Sequence, residues 1–98
     1  MKHPVDYTQL ARTEYDRAAV WYERERAGLG DEFVAEIQRT LDEIAAYPDR
    51  YPTVEDGIRQ VQVNRFPYSI LYCVRVERII VVAVFHHSRN PSEWQSRT

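Results

Sequence analysis

The chain has 98 residues and 11.6 kDa, a length that predicts one domain (residues 1–98) with a single modest core and excludes a nucleotide-binding α/β fold with its several crossover units. Hydrophobic residues make up 44 % and charged residues 29 %, which excludes disorder; the longest apolar run, 79–85, is far too short to cross a membrane. Net charge is −2 but unevenly placed: residues 1–57 carry seven Lys and Arg against thirteen Asp and Glu, and residues 58–98 carry six against two.

A basic second half predicts either an anionic partner or pairing with the acidic first half. Twelve of the thirteen cations are arginine, whose planar fork suits fixed contacts with carboxylate or phosphate. The single cysteine, Cys73, excludes an internal disulfide and reads as a small buried hydrophobe. Together with an amino terminus that lacks a secretory apolar stretch, it leads to the expectation of a cytoplasmic protein.

In chain order, residues 3–7 predict a short edge strand, where Pro4 is tolerated. Residues 9–26 predict a helix, with Ala11, Tyr15, Ala18, Ala19 and Tyr22 on one face. Gly28-Leu29-Gly30 breaks it; the pair of glycines lacks the lysine of a phosphate loop and reads as a turn between helices. Residues 31–47 predict a second helix on the stripe Phe33, Ile37, Leu41 and Ile44, stopped by Pro48. Residues 48–57 are expected to be irregular. The period then changes to two. Strands are predicted at 58–63, 68–76 and 79–85, forming a meander of about 58–86, with the last apolar on both faces and so interior in its sheet. Residues 87–98 read as a polar tail. The fold class is therefore α+β: a two-helix antiparallel hairpin (about 9–47) on one face of a small, mainly antiparallel β-sheet, in the order β-α-α-β-β-β.

One group of side chains can carry chemistry. Arg59, Arg65, His86, Arg89 and Arg97 come from strands or from the segment after the last strand, and a hairpin register that gathers them makes a surface for phosphates or for an acidic segment. With His86 moving protons and arginines stabilising a phosphorane, the same surface suits RNA backbone cleavage. The alternative is a set of solvated charges on a half-exposed sheet. His86 and His87 point to opposite faces of a strand and complete no metal shell; no metal and no cofactor is expected. Tyr15, Trp21, Tyr22, Phe33, Tyr68 and Tyr72 read as packing residues.

Several segments, in order and spacing, resemble the RelE/ParE superfamily of bacterial toxins. They are Trp21-Tyr22-Glu23, residues 28–33, residues 44–52, Arg59, residues 65–72, Ala83-Val84-Phe85-His86, and His86-x-x-Arg89-x-Pro91-x-x-Trp94. The resemblance implies the toxin of a type II toxin–antitoxin module of plasmid-stabilisation type. It implies as partner a cognate, acidic, partly disordered antitoxin in a hetero-oligomer, and no membrane. A ParE-like toxin poisons DNA gyrase without catalysis; Arg59, Arg65, His86, Arg89, Trp94 and Arg97 would then be target- or antitoxin-binding residues. A RelE-like toxin cuts mRNA on the ribosome, with Arg65, His86 and Arg89 catalytic and Trp94 holding a base. A degenerate toxin would keep antitoxin binding alone. The sequence departs from the nuclease pattern in its negative charge, its single lysine (Lys2) and a carboxy-terminal aromatic, Trp94, that cannot exchange a proton. The ParE-like reading is therefore the first choice.

Overall fold

The computed structural model describes residues 3–97; Lys2 and Thr98 lie outside the described residues. Strand β1 (Val5–Tyr7) leads into helix α1 (Gln9–Glu25), which is capped by the Thr8 hydroxyl accepting the Ala11 N–H. Helix α2 (Leu29–Ala46) starts two residues earlier than the sequence predicts. Gly28 takes a left-handed conformation (φ 88°) that reverses the chain, and Glu23 accepts the N–H groups of Gly28 and Gly30. That carboxylate caps the new helix from a full turn back in α1, so no separate capping residue is needed. Gly30 is a close-approach residue: a Cβ there would lie 2.6 Å from the Ala19 carbonyl oxygen, so its lack of a side chain lets the two helices meet.

The sheet follows as β2 (Thr53–Glu55), β3 (Ile58–Gln62), β4 (Tyr68–Arg75) and β5 (Arg78–His86), ordered β1-β5-β4-β3-β2. All pairs are antiparallel except β1 with β5. Two predictions need correction. The segment 48–57 is not wholly irregular, because β2 forms there as an exposed edge strand. Residues 87–98 are not only a polar tail, because a short helix α3 (Ser92–Gln95) carries the buried Trp94.

The sheet has two covered faces. On one, Phe33, Ile37, Ile44, Ile70, Tyr72 and Val81 form the main core under the hairpin, each fully shielded from solvent. Burying such a side chain is worth about 1.5–3 kcal/mol. On the other, Leu71, Cys73, Ala83 and Phe85 form a smaller core closed by Trp94. Strict alternation fails once in β5, where Leu71 pairs with Ala83 but Tyr72 pairs with Val81. The extra residue, Val82, is a bulge that turns Val81 and Val84 to the main core and Val82 and Ala83 to the smaller one.

Candidate interaction site at the end of the last strand

Strand β1 pairs with only three residues of β5, Ile79, Ile80 and Val81. Beyond Val81 the edge of β5 has no strand beside it, and side chains take over. The Val84 N–H donates to Glu14 Oε1 at 3.1 Å, and the Val82 carbonyl accepts from Arg97 at 3.1 Å and from the Thr8 hydroxyl at 3.4 Å. Glu14 is the hub. Arg97 grips both of its oxygens, at 3.0 and 2.9 Å, as a bidentate fork, and Arg89 reaches it at 2.5 Å. Arg89 also holds Glu93 at 3.1 Å and lies 4.4 Å above the Phe85 ring.

Burial alone would raise the Glu14 carboxyl, but hydrogen bonds from Arg97, Arg89 and the Val84 N–H outweigh it and hold the group below the usual carboxylate range. Burial pulls Arg89 down, while Glu93 and Glu14 pull it up, with a net rise. Glu14 is therefore held charged between the two arginines.

His86 is half-buried. It stands edge-on to Tyr68, with ring centroids 5.0 Å apart. Its Nδ1 accepts the Ser88 N–H at 3.0 Å and lies 2.8 Å from the Ser88 hydroxyl. The Tyr68 phenol is pushed up by burial and by Tyr22, so it stays protonated at neutral pH. His87 points to the opposite face, as the strand period requires. It sits 2.9 Å from the Ser69 hydroxyl, which also accepts from Gln60. Trp94 is buried at 6 % exposure, so its indole contributes packing here and little surface.

The six expected site residues thus divide. His86, Arg89, Trp94 and Arg97 meet around the end of β5. Arg59 does not join them. It pairs in register with Tyr72, four residues along β4 from the Tyr68–His86 pair, or roughly 13 Å at the usual strand rise. Its guanidinium donates to the Tyr51 and Asp49 carbonyls and pins the loop before β2. Beside it the Tyr72 hydroxyl donates to the Pro48 carbonyl, and burial pushes that phenol up to about 12. Arg65 is also elsewhere. It adopts a left-handed backbone (φ 70°) in the β3–β4 turn and donates to Glu32 on α2 at 2.7 Å. The physical reason is the same for both: each arginine has a nearer acceptor on its own side of the sheet.

Sequence reasoning missed Glu14 and misplaced Trp21. Glu14 borders the apolar face of α1 next to Ala11 and Ala18, an acid on the rim of a buried stripe, and that position was the available signal. Trp21, expected to pack, is 56 % exposed; Tyr15, Tyr22, Phe33, Tyr68 and Tyr72 do pack in or against the main core. Among the described residues, no group of three His, Cys, Asp or Glu side chains gathers in metal-binding geometry, and no helix is long and apolar enough to cross a membrane.

Comparison with known proteins adds the family. No curated protein matches the sequence significantly. A solved structure described as the chromosomal ParDE TA system from P. aeruginosa shares the fold, with a TM-score of 0.75 over 87 % of this chain and 96 % of that one at 16 % identity. A family profile described as the ParE toxin of the type II toxin–antitoxin system, parDE, matches residues 5–91. With nearly the whole sheet and hairpin inside that match, the chain belongs to the ParE toxin family of type II toxin–antitoxin systems.

Proposed function

We propose that the protein arrests bacterial growth by docking onto a protein target, DNA gyrase, and that a cognate acidic antitoxin neutralises it in the cytoplasm. The contact surface lies at the end of β5, with His86 and Arg89 facing outward and Arg97 and Trp94 holding them from behind. The observation that carries this reading is the pairing of Arg89 and Arg97 with Glu14. A nuclease needs cations free to meet a phosphate and its developing charge. Here Arg89 and Arg97, which line one concavity with His86, already share a carboxylate, and Arg65 is engaged by Glu32. The surface keeps shape, an imidazole and aromatic area, which serve recognition between proteins. Membership of the ParE family supports the gyrase target, and the ParDE name of the similar structure supports an antitoxin partner.

The test is a pair of assays on purified protein. Gyrase supercoiling should be inhibited, or cleaved DNA should accumulate, while a reconstituted translation reaction shows no new mRNA ends. Cut mRNA with unaffected gyrase would select the ribosome-dependent nuclease, with Arg65, His86 and Arg89 as its candidate residues. Activity in neither assay, with normal growth on expression, would select a toxin that retains antitoxin binding alone.

A further inference from the structure

The sheet face turned away from the helical hairpin carries a polar group that the docking surface leaves unused. Ser69 on β4 pairs in register with Phe85 and is 3 % exposed. By the strand period it shares a face with Leu71, on the side of the smaller core. His87 follows β5, and its N–H donates to the Pro67 carbonyl at 2.9 Å, which carries the ladder one step past His86. Two residues beyond Phe85, its side chain projects to the same face as Ser69. Its Nε2 lies 2.9 Å from the Ser69 hydroxyl oxygen, and Gln60 on β3 donates to that oxygen at 3.1 Å.

A buried hydroxyl needs one partner, and Gln60 alone supplies it. With one lone pair taken by Gln60, the Ser69 O–H is free to turn to His87 Nε2, which is the arrangement of a nucleophile beside its general base. Their separation falls within the roughly 2.6–3.2 Å reach of such pairs. Neighbouring strands hold all three side chains, so their spacing is set by backbone pairing and not by a loop. The hydroxyl is not sealed in. Gln60, Ser69 and His87 line a concavity of about 440 Å³ together with apolar Leu71, Phe85 and Trp94. That volume suits a small organic molecule.

We propose that Ser69 and His87 form a nucleophile–base pair that accepts acyl groups from small carboxylic esters, with an apolar acyl chain seated against Leu71, Phe85 and Trp94. The Ser69 oxygen bonds to the ester carbonyl carbon while its proton passes to His87 Nε2. The bond from that carbon to the alkoxy oxygen breaks, and the departing alcohol takes the proton from His87. Water then gives a proton to His87, its oxygen bonds to the acyl carbon, and the acid leaves as Ser69 recovers the proton. The Gln60 amide, hydrogen-bonded to the reacting oxygen, is a donor at hand for the oxyanion. Among the described residues no carboxylate hydrogen-bonds to His87, so the pair has two members and turns over activated esters slowly. The inference goes beyond the gyrase reading, because it rests on Ser69, His87 and Gln60, none of which the docking surface uses.

The test is incubation of the whole protein with p-nitrophenyl butyrate, following nitrophenolate release and locating the butyryl group by peptide mass spectrometry. One butyryl group should appear on Ser69. Release should fall at least tenfold in Ser69→Ala, and acylation of Ser69 should fall at least tenfold in His87→Gln. Protein unfolded in urea should leave Ser69 unmodified. Circular dichroism checks that both variants fold, and the label on the natural chain stands as evidence without them. Butyryl groups on the terminal amine, Lys2 or His87 with Ser69 unmodified would overturn the proposal. So would release by folded Ser69→Ala at the natural rate, or acylation of Ser69 at that rate in folded His87→Gln. Gyrase inhibition has no bearing on these outcomes, so the two readings fail separately.

Discussion

Glu14 and Glu32 each sit between two arginines, and their settings differ. Glu14 is held by Arg89 and Arg97, with side-chain exposures of 12, 33 and 13 %. Glu32 is held by Arg65 and Arg26, with exposures of 36, 56 and 62 %. The stoichiometry is the same and the distances are similar. What differs is the water removed and the backbone enlisted. Glu14 also accepts the Val84 N–H and so replaces the missing neighbour of β5, whereas Glu32 bridges two side chains in solvent. Exposed pairs contribute little because solvent screens them and holding long side chains costs entropy. A buried cluster is different: breaking it leaves charge stranded away from water. Arginine count alone therefore says little about which basic residues are free to meet a ligand, and position relative to the sheet edge decides it.

The comparison can be broken in several ways, here in order of expected effect. Glu14→Ala would strand two half-buried arginines and the Val84 N–H, with a cost of about 3 kcal/mol. Urea unfolding would measure it, and faster amide exchange at Val84 would place the damage at β5. Gly30→Ala is next. It tests the helix crossing that sets where Glu14 stands, and a Cβ only 2.6 Å from the Ala19 carbonyl forces the helices apart at about 1–3 kcal/mol. A small change in the unfolding midpoint would show that the hairpin yields.

Acid should separate the clusters too. Glu14 has a folded pKa below its unfolded value of about 4.3, so its contribution is fully present above that pH. It is lost as pH falls from there through the depressed folded value, because the unfolded chain binds the proton first. Glu14→Gln should flatten the fall in stability below about pH 5. An unchanged slope would mean that the hub does not hold Glu14 charged. Glu32 is also lowered, chiefly by its hydrogen bond from Arg65. Its setting among exposed side chains makes Glu32→Ala the smallest effect, with no measurable change in unfolding midpoint at neutral pH.

Much of the fold was legible because its signals are local. Phe33, Ile37, Leu41 and Ile44 repeat at the helical period and all lie in the main core. Val61 and Val63 alternate with Gln60 and Gln62, and that alternation places them correctly. What was not legible depends on distant partners. The parallel pairing of β1 with β5 joins Val5 to Ile79, the bulge at Val82 follows from closing two cores at once, and β2 exists because Arg59 ties the preceding loop to β3. The site shows the same division. Chain order put His86, Arg89, Trp94 and Arg97 in one segment, and they stay together. Arg59 and Arg65 were assembled by an assumed register and instead found acceptors beside them. Glu14 lies 75 residues from Arg89, a separation that no local pattern reports.

The central claim is that this ParE-family chain acts by docking and that the pairing of Arg89 and Arg97 with Glu14 holds the docking surface in shape. Brief expression in growing bacteria, followed by parallel mapping of plasmid topology and of mRNA 5′ ends, tests it most directly. The account predicts relaxed or broken DNA with intact transcripts, and the same DNA damage from a folded His86→Ala variant, weakened but present. Transcripts cut at codon-spaced positions, with DNA topology untouched and cutting abolished in His86→Ala, would contradict it.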